Sequence, residues 1–224
     1  MRKRLLAEFL GTFTLIFAGT GAIVIDVATK GGVSHAGIAL TFGLVVLAMI
    51  YTFGDISGAH LNPAVTAAFA LARRFSWAEV APYIAAQVAG AFAASGLLRF
   101  LFPEDAHLGA TLPAGSPSQS FILELVLTFI LMTVILSVST GAKEKGITAG
   151  IAIGSVIALE AMFAGPICGA SMNPVRSLSP AVVSGQLQHL WVYLLGTTMG
   201  AALAVPVCCA LRGEECCSAA SLER

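Results

Sequence analysis

Charge is what this sequence has least of. Of its 224 residues, 12 are basic and 12 acidic, together 11% of the chain, against 57% hydrophobic. Roughly a quarter of a soluble domain is charged, so an ordinary water-facing surface is excluded. The balance of signs excludes a strongly basic face for nucleic acid. No catalytic Ser/His/Asp set, metal-ligand cluster or phosphate-binding loop appears, so nothing points to an enzyme or a cofactor.

What is there is long apolar chain, with a mean hydropathy of +0.89. Residues 9–25, 36–54, 80–98, 125–142, 146–159 and 177–211 contain no Asp, Glu, Lys or Arg. A helix crosses ~30 Å of hydrocarbon with about 20 apolar residues. Six spans are predicted, roughly at 5–26, 35–54, 80–101, 119–140, 146–164 and 188–210. The first is too long for a cleaved signal peptide and leads to no small-residue cleavage site. Trp77 and Trp191 fall near span ends, as interfacial anchors do.

The few cations orient the bundle. Arg2, Lys3, Arg4, Arg73, Arg74, Lys143, Lys145 and Arg212 fall on one side of a six-span chain, leaving Lys30, Arg99 and Arg176 opposite. The positive-inside rule puts the first set, and both termini, in the cytoplasm. The short termini suggest a bacterial inner membrane. Four of the five cysteines, Cys208, Cys209, Cys216 and Cys217, lie near the C-terminus, where cytoplasmic thiols stay reduced. Two Cys-Cys pairs could hold a soft metal or metalloid, but they lack C-x-x-C spacing. The simpler reading is a helix end followed by a floppy tail over 212–224, and no metal site is assigned.

The chain repeats itself. Glu8, Thr12 and Phe13 in the first span match Glu124, Thr128 and Phe129 in the fourth. Ser57-Gly58-Ala59-His60-Leu61-Asn62-Pro63-Ala64 matches Cys168-Gly169-Ala170-Ser171-Met172-Asn173-Pro174-Val175. Tyr83 with Gly90-Ala91 matches Tyr193 with Gly200-Ala201. The first repeat covers about 4–102 and the second about 119–211 of a single domain, 1–224. Three spans per repeat invert the second copy relative to the first, which is a transport architecture with its site at the midplane.

Asn is a good N-cap and Pro suits the first helical turn. Asn62-Pro63 and Asn173-Pro174 therefore each start a helix, over about 63–72 and 174–184, too short to span. Two half-helices entering from opposite faces would meet N-terminus to N-terminus. Their positive ends repel cations, and the two Asn amides donate hydrogen bonds to a passing oxygen. The fold class is an all-α membrane protein: six transmembrane helices and two re-entrant half-helices in an inverted repeat.

These residues resemble the aquaporin (major intrinsic protein) family over nearly the whole chain. The Glu-x-x-x-Thr-Phe openings, the two Asn-Pro boxes and Arg176 carry the resemblance, with Val175 departing from the usual Asn-Pro-Ala. The closest likeness is to the plant nodulin-like intrinsic proteins and their bacterial relatives. The resemblance implies a homotetramer in the lipid bilayer, with one pore per subunit. It places a selectivity filter at Phe42, Ala161, Ala170 and Arg176, and His60 in the cytoplasmic vestibule. It makes Glu8 and Glu124 supports of the re-entrant loops.

Strict water channels usually carry His where this chain has Ala161, so a wider filter is expected. That filter would pass water, glycerol and metalloid acids such as arsenite and borate. Ser177 and Ala181 stand where glycerol facilitators usually carry Asp and a basic residue. Glu160, beside Ala161, reads as a buried carboxyl ahead of a pH-sensing one. His60 reads as a fixed vestibule residue ahead of a pH gate. A water-selective channel is the alternative. A secondary transporter is the rival from another class, but it would need midplane coupling carboxylates that the boxes lack.

Overall fold

The computed structural model describes residues 1–139 and 143–217, and all of its regular structure is helical. In chain order the helices are α1 (Arg2–Ala28), α2 (Ser34–Ser57), α3 (Pro63–Leu71), α4 (Trp77–Leu101), α5 (Pro117–Val138), α6 (Lys143–Cys168), α7 (Pro174–Ser184), α8 (Leu190–Arg212) and α9 (Glu214–Cys217). Six of them are long and apolar enough to span a membrane. They fall where the uncharged runs predict, within a few residues. The two short ones, α3 and α7, begin at the Pro of each Asn-Pro box.

Residue polarity runs opposite to that of a soluble bundle. Leu44, Phe100, Leu159 and Leu211 are among the exposed side chains, while Glu8, Gln87, Glu124, Thr128 and Thr197 are fully buried. Lipid solvates the first set; hydrogen bonds inside the protein must satisfy the second. Trp77 and Trp191 are both exposed at helix starts, where an aromatic anchor belongs.

Within each repeat the outer helices pair: α1 with α4, and α5 with α8. Apolar burial supplies little attraction between helices in lipid, so close backbone approach must provide it. Gly90 supplies it in the first repeat, where an added Cβ would run into the Phe9 carbonyl. Gly200 does the same in the second, against the Leu125 carbonyl. The repeats meet along α2 and α6. There Gly43 faces the Gly154 carbonyl and Gly154 faces the Gly43 carbonyl, so that an added Cβ would sit 2.5 or 2.6 Å from the opposing oxygen.

Two expectations need correction. With three prolines, the 103–118 connection reads from its sequence as an exposed external loop, yet Leu108 is fully buried and Thr111 nearly so. Arg99 holds the fold by donating to the Asp105 carbonyl (2.7 Å), while Asp105 Oδ1 accepts from the His107 (3.0 Å) and Leu108 (2.6 Å) amides. The loop is therefore tucked inward. The tail is not floppy throughout either: Gly213, at φ +57, reverses the chain and α9 packs back on α8. Cys208 pairs with Cys216 and Cys209 with Cys217 as disulfides, in place of the four reduced thiols expected. The remainder of the expected tail, 218–224, lies outside the described residues.

The glycine contacts make a prediction. Gly90→Ala and Gly200→Ala should each cost about 1–3 kcal/mol, the range for overpacking a tight contact. Gly96→Ala, at a position open on all sides, should cost nothing. Thermal unfolding in detergent with a thiol-reactive dye reads the difference; equal midpoints for all three variants would contradict the packing account.

Candidate permeation pathway

Each Asn side chain has two jobs. Asn62 caps α3, its Oδ1 accepting from the Ala64 amide at 2.9 Å, and Asn173 caps α7 by accepting from the Val175 amide at 3.1 Å. Each also reaches into the other repeat. Asn62 Nδ2 donates to the Met172 carbonyl (2.8 Å), and Asn173 Nδ2 donates to the Leu61 carbonyl (2.9 Å). The receiving residue is always the one just before the other Asn. An amide carries two N–H donors, so one on each Asn remains beyond this crossed pair.

The segments before the boxes leave the helix in the same way. Gly58, Ala59 and Leu61 have positive φ (85°, 46° and 52°), as do Gly169, Ala170 and Met172 (85°, 41° and 53°). Left-handed backbone costs a non-glycine residue roughly 1–2 kcal/mol, so four such positions need external support. Two buried carboxylates supply it. Glu8 Oε1 accepts from the Ser57 hydroxyl (2.7 Å) and His60 amide (2.9 Å), and Oε2 from the Leu61 amide (2.8 Å) and Gln87 Nε2 (2.8 Å). Glu124 accepts from the Ser171 (2.8 Å) and Met172 (3.0 Å) amides. Ser57 Oγ and Cys168 Sγ complete the parallel, accepting from the Ala59 and Ala170 amides at 3.1 and 3.4 Å.

A cavity of about 850 Å³ runs along this backbone. Tyr51, Asp55, Arg74 and Ser139 line it together with both Asn residues, Leu61, Met172, Phe42, Ala170 and Arg176. Arg176 is buried, lies 4.9 Å from the Phe42 ring centroid, and donates from Nη1 to the Gly109 carbonyl at 2.7 Å. Three of the four expected filter residues are thus brought together. Ala161, though buried, does not line the cavity, whereas Ile157, one turn earlier on α6, does. Glu160 is buried with neither carboxyl oxygen hydrogen-bonded among the described residues, and it too is absent from the cavity wall.

His60 lines the cavity but is boxed in. Its ring lies 4.8 Å from those of Phe69 and Phe75 and 5.3 Å from Tyr83, and Nδ1 is 3.2 Å from Thr66 Oγ1. Burial, then the charges of Arg4 and Arg74, holds the imidazole well below its ordinary range. Val175 is buried, its added bulk accommodated in the apolar core.

Several partners had no signal in the sequence. Gly109 reaches Arg176 only because the 103–118 connection tucks in, at φ +68 against Thr20. Thr111 and Ser171 flank the Ser177 hydroxyl at 2.7 and 2.6 Å. Arg74 packs 5.1 Å above Phe69 and donates to the Ser139 carbonyl at 2.5 Å. Gln87 is an uncharged polar residue at mid-span, and that was a readable signal.

Comparison with known proteins agrees with this geometry. The family model described as Major intrinsic protein matches residues 1–207. The chain is 51% identical over 201 residues to rice (Oryza sativa subsp. japonica) aquaporin NIP1-4, covering 89% of this chain and 73% of that one. It is 46% identical over 202 residues to the putative aquaporin NIP4-1 of Arabidopsis thaliana, covering 89% and 71%. Among solved structures it is similar to the aquaglyceroporin from Plasmodium falciparum, with a TM-score of 0.81, 27% identity, and 91% and 93% of the two chains covered. On sequence and fold together, this chain is a multi-pass membrane protein that belongs to the major intrinsic protein family, the aquaporins.

Proposed function

We propose that the chain is a passive channel for water and small uncharged solutes, glycerol and metalloid acids among them, which excludes ions and protons. The observation that carries this reading is the crossed amide pair on the cavity wall. Asn62 and Asn173 each keep one N–H donor and sit at the N-terminus of a half-helix. A water oxygen accepting there turns its own hydrogens away from the centre, which breaks a proton relay. The two positive helix ends repel cations at the same point. Among the described residues the carboxylates beside the boxes, Glu8 and Glu124, are taken up by loop amides and do not line the cavity to couple an ion, which disfavours a carrier.

Phe42, Ala170 and Arg176 narrow the path in this reading, with Ala161 behind them setting how far the wall can yield. The small side chains at 161 and 170 favour a polyol-sized opening over a water-only one. Glu8 and Glu124 hold the re-entrant backbone, and His60 is a fixed neutral wall. The chain works as a homotetramer in a cell membrane, with both termini in the cytoplasm as the basic flanks suggest. A bacterial inner membrane is the proposed location.

Stopped-flow light scattering on proteoliposomes tests this. Wild type should pass both water and glycerol above empty vesicles. Ala161→His should cut glycerol permeability roughly tenfold, about 1.4 kcal/mol at the barrier, while water flow persists. Water alone through wild type would overturn the broad-solute reading. A solute flux that saturates would indicate a carrier. Arsenite uptake no faster than in empty vesicles would remove metalloids from the list.

The carboxylates should rank in severity. Glu8→Ala strands two backbone amides and removes one acceptor each from Ser57 and Gln87, which keep the Phe53 carbonyl and the Thr66 hydroxyl, while Glu124→Ala strands two backbone amides alone; each orphaned buried donor costs about 1–3 kcal/mol. Glu8→Ala should therefore lower the unfolding midpoint further; the reverse order would refute the support role assigned to Glu8. Because His60 is held neutral, water permeability should stay flat from about pH 5.5 to 8, below and above the usual imidazole value. A step within that window that vanishes in His60→Asn would make His60 a gate after all.

A further inference from the structure

The pore leaves one cluster of reactive side chains unused. Cys208 and Cys209 lie near the end of α8, Cys216 and Cys217 at the end of α9, and the reversal at Gly213 folds the second pair over the first. The sulfurs of Cys209, Cys216 and Cys217 all lie within 4.8 Å of one another. Cys208 is joined to Cys216, so the fourth sulfur belongs to the same cluster. Cys208 and Cys216 are almost completely buried, and Cys209 and Cys217 are half-buried.

Two disulfides here would be redundant as staples. Both tie the same two helix ends, over the same separation of 8 residues, with Cα–Cα distances of 5.9 and 5.8 Å. One bond would close so short a loop. Four thiols converging on one point are, in contrast, a complete ligand set for a soft d10 cation. A tetrahedral ion with sulfur ligands at about 2.3 Å spaces those sulfurs about 3.8 Å apart, inside the spread observed. The basic flanks put this end of the chain in the reducing cytoplasm, where disulfides do not persist. The site rests on that orientation and on no property of the pore.

We propose that in the reduced chain Cys208, Cys209, Cys216 and Cys217 bind one soft divalent ion, zinc or cadmium, which clasps α9 to the end of α8. Each disulfide first takes two electrons and two protons from two molecules of a low-molecular-weight thiol, which leave joined as their own disulfide. Four thiols then bind the cation and release four protons, giving a tetrathiolate complex of charge −2. No oxidation state of the metal changes.

The test uses full-length protein reduced with a phosphine, freed of reductant under argon and titrated with cadmium chloride. The expected result is a thiolate-to-metal charge-transfer band that saturates at one ion per chain. The band should be lost in the Cys209→Ser/Cys217→Ser variant and kept in Cys168→Ser, which lies outside the cluster. Elemental analysis of wild type with and without prior alkylation by iodoacetamide gives a second reading that does not depend on the variant folding: metal in the unalkylated sample only. No band with all four thiols free overturns the proposal. So does equal metal in the double variant, or resistance of both disulfides to the phosphine in folded protein. None of these readings involves solute flux, so a failed permeability assay and a failed metal titration are separate results.

Discussion

Everything in this structure depends on one constraint: backbone that leaves a helix inside hydrocarbon must find partners for its amides. Each unsatisfied group costs several kcal/mol in that setting. The chain breaks its helices twice at depth, before Asn62 and before Asn173. Each time a carboxylate from the opening helix of the same repeat, Glu8 or Glu124, takes the freed amides. A charged side chain in a span is itself costly, and these two are tolerated because strained backbone donates to them. The pore wall, the half-helices and the placement of both Asn caps follow from that exchange.

The two repeats solve the problem with unequal means. Glu8 also binds Ser57 and Gln87, with Tyr83 donating to the Ser57 carbonyl at 3.0 Å. The second half replaces Ser57 with Cys168 and Gln87 with Thr197, and turns to the 103–118 connection. Gly109 holds Arg176 and Thr111 meets Ser177. The half that carries the guanidinium is thus braced by the segment that joins the repeats, and the other half by residues of its own helices. The Arg176 end of the path accordingly relies on a connection that carries no helix across it.

Much of the fold was legible because lipid imposes a coarse rule. A run without charge is a span, and α1, α2, α4, α5, α6 and α8 lie where those runs fall. The half-helices were legible because Asn-Pro fixes a start by local chemistry. Glu8 and Glu124 stood out because a carboxylate in a span needs a reason. The inward tuck of 103–118 was hidden, since polar, proline-bearing chain looks the same whether it floats or packs. So was the return of α9, because four cysteines carry no hydropathy signal for the turn between them. At Ala161 spacing gives only a position along α6: it is buried one turn beyond Ile157, on the same side of the helix, and Ile157 is the one of the two that lines the cavity.

The crossed amide pair carries a last consequence. Asn62 closes on Met172 and Asn173 on Leu61, so neither Asn amide group finds its acceptor inside its own repeat. A chain with one repeat alone would have a donor and an acceptor left over at its midplane. It could satisfy both only by meeting a second copy inserted upside down. A single-repeat progenitor built on this bond would therefore have needed to enter the membrane in both orientations with comparable ease. Fusing two copies removes that need: each half can then hold one orientation, and the basic residues beside Arg73 and Lys143 are free to diverge toward fixing it.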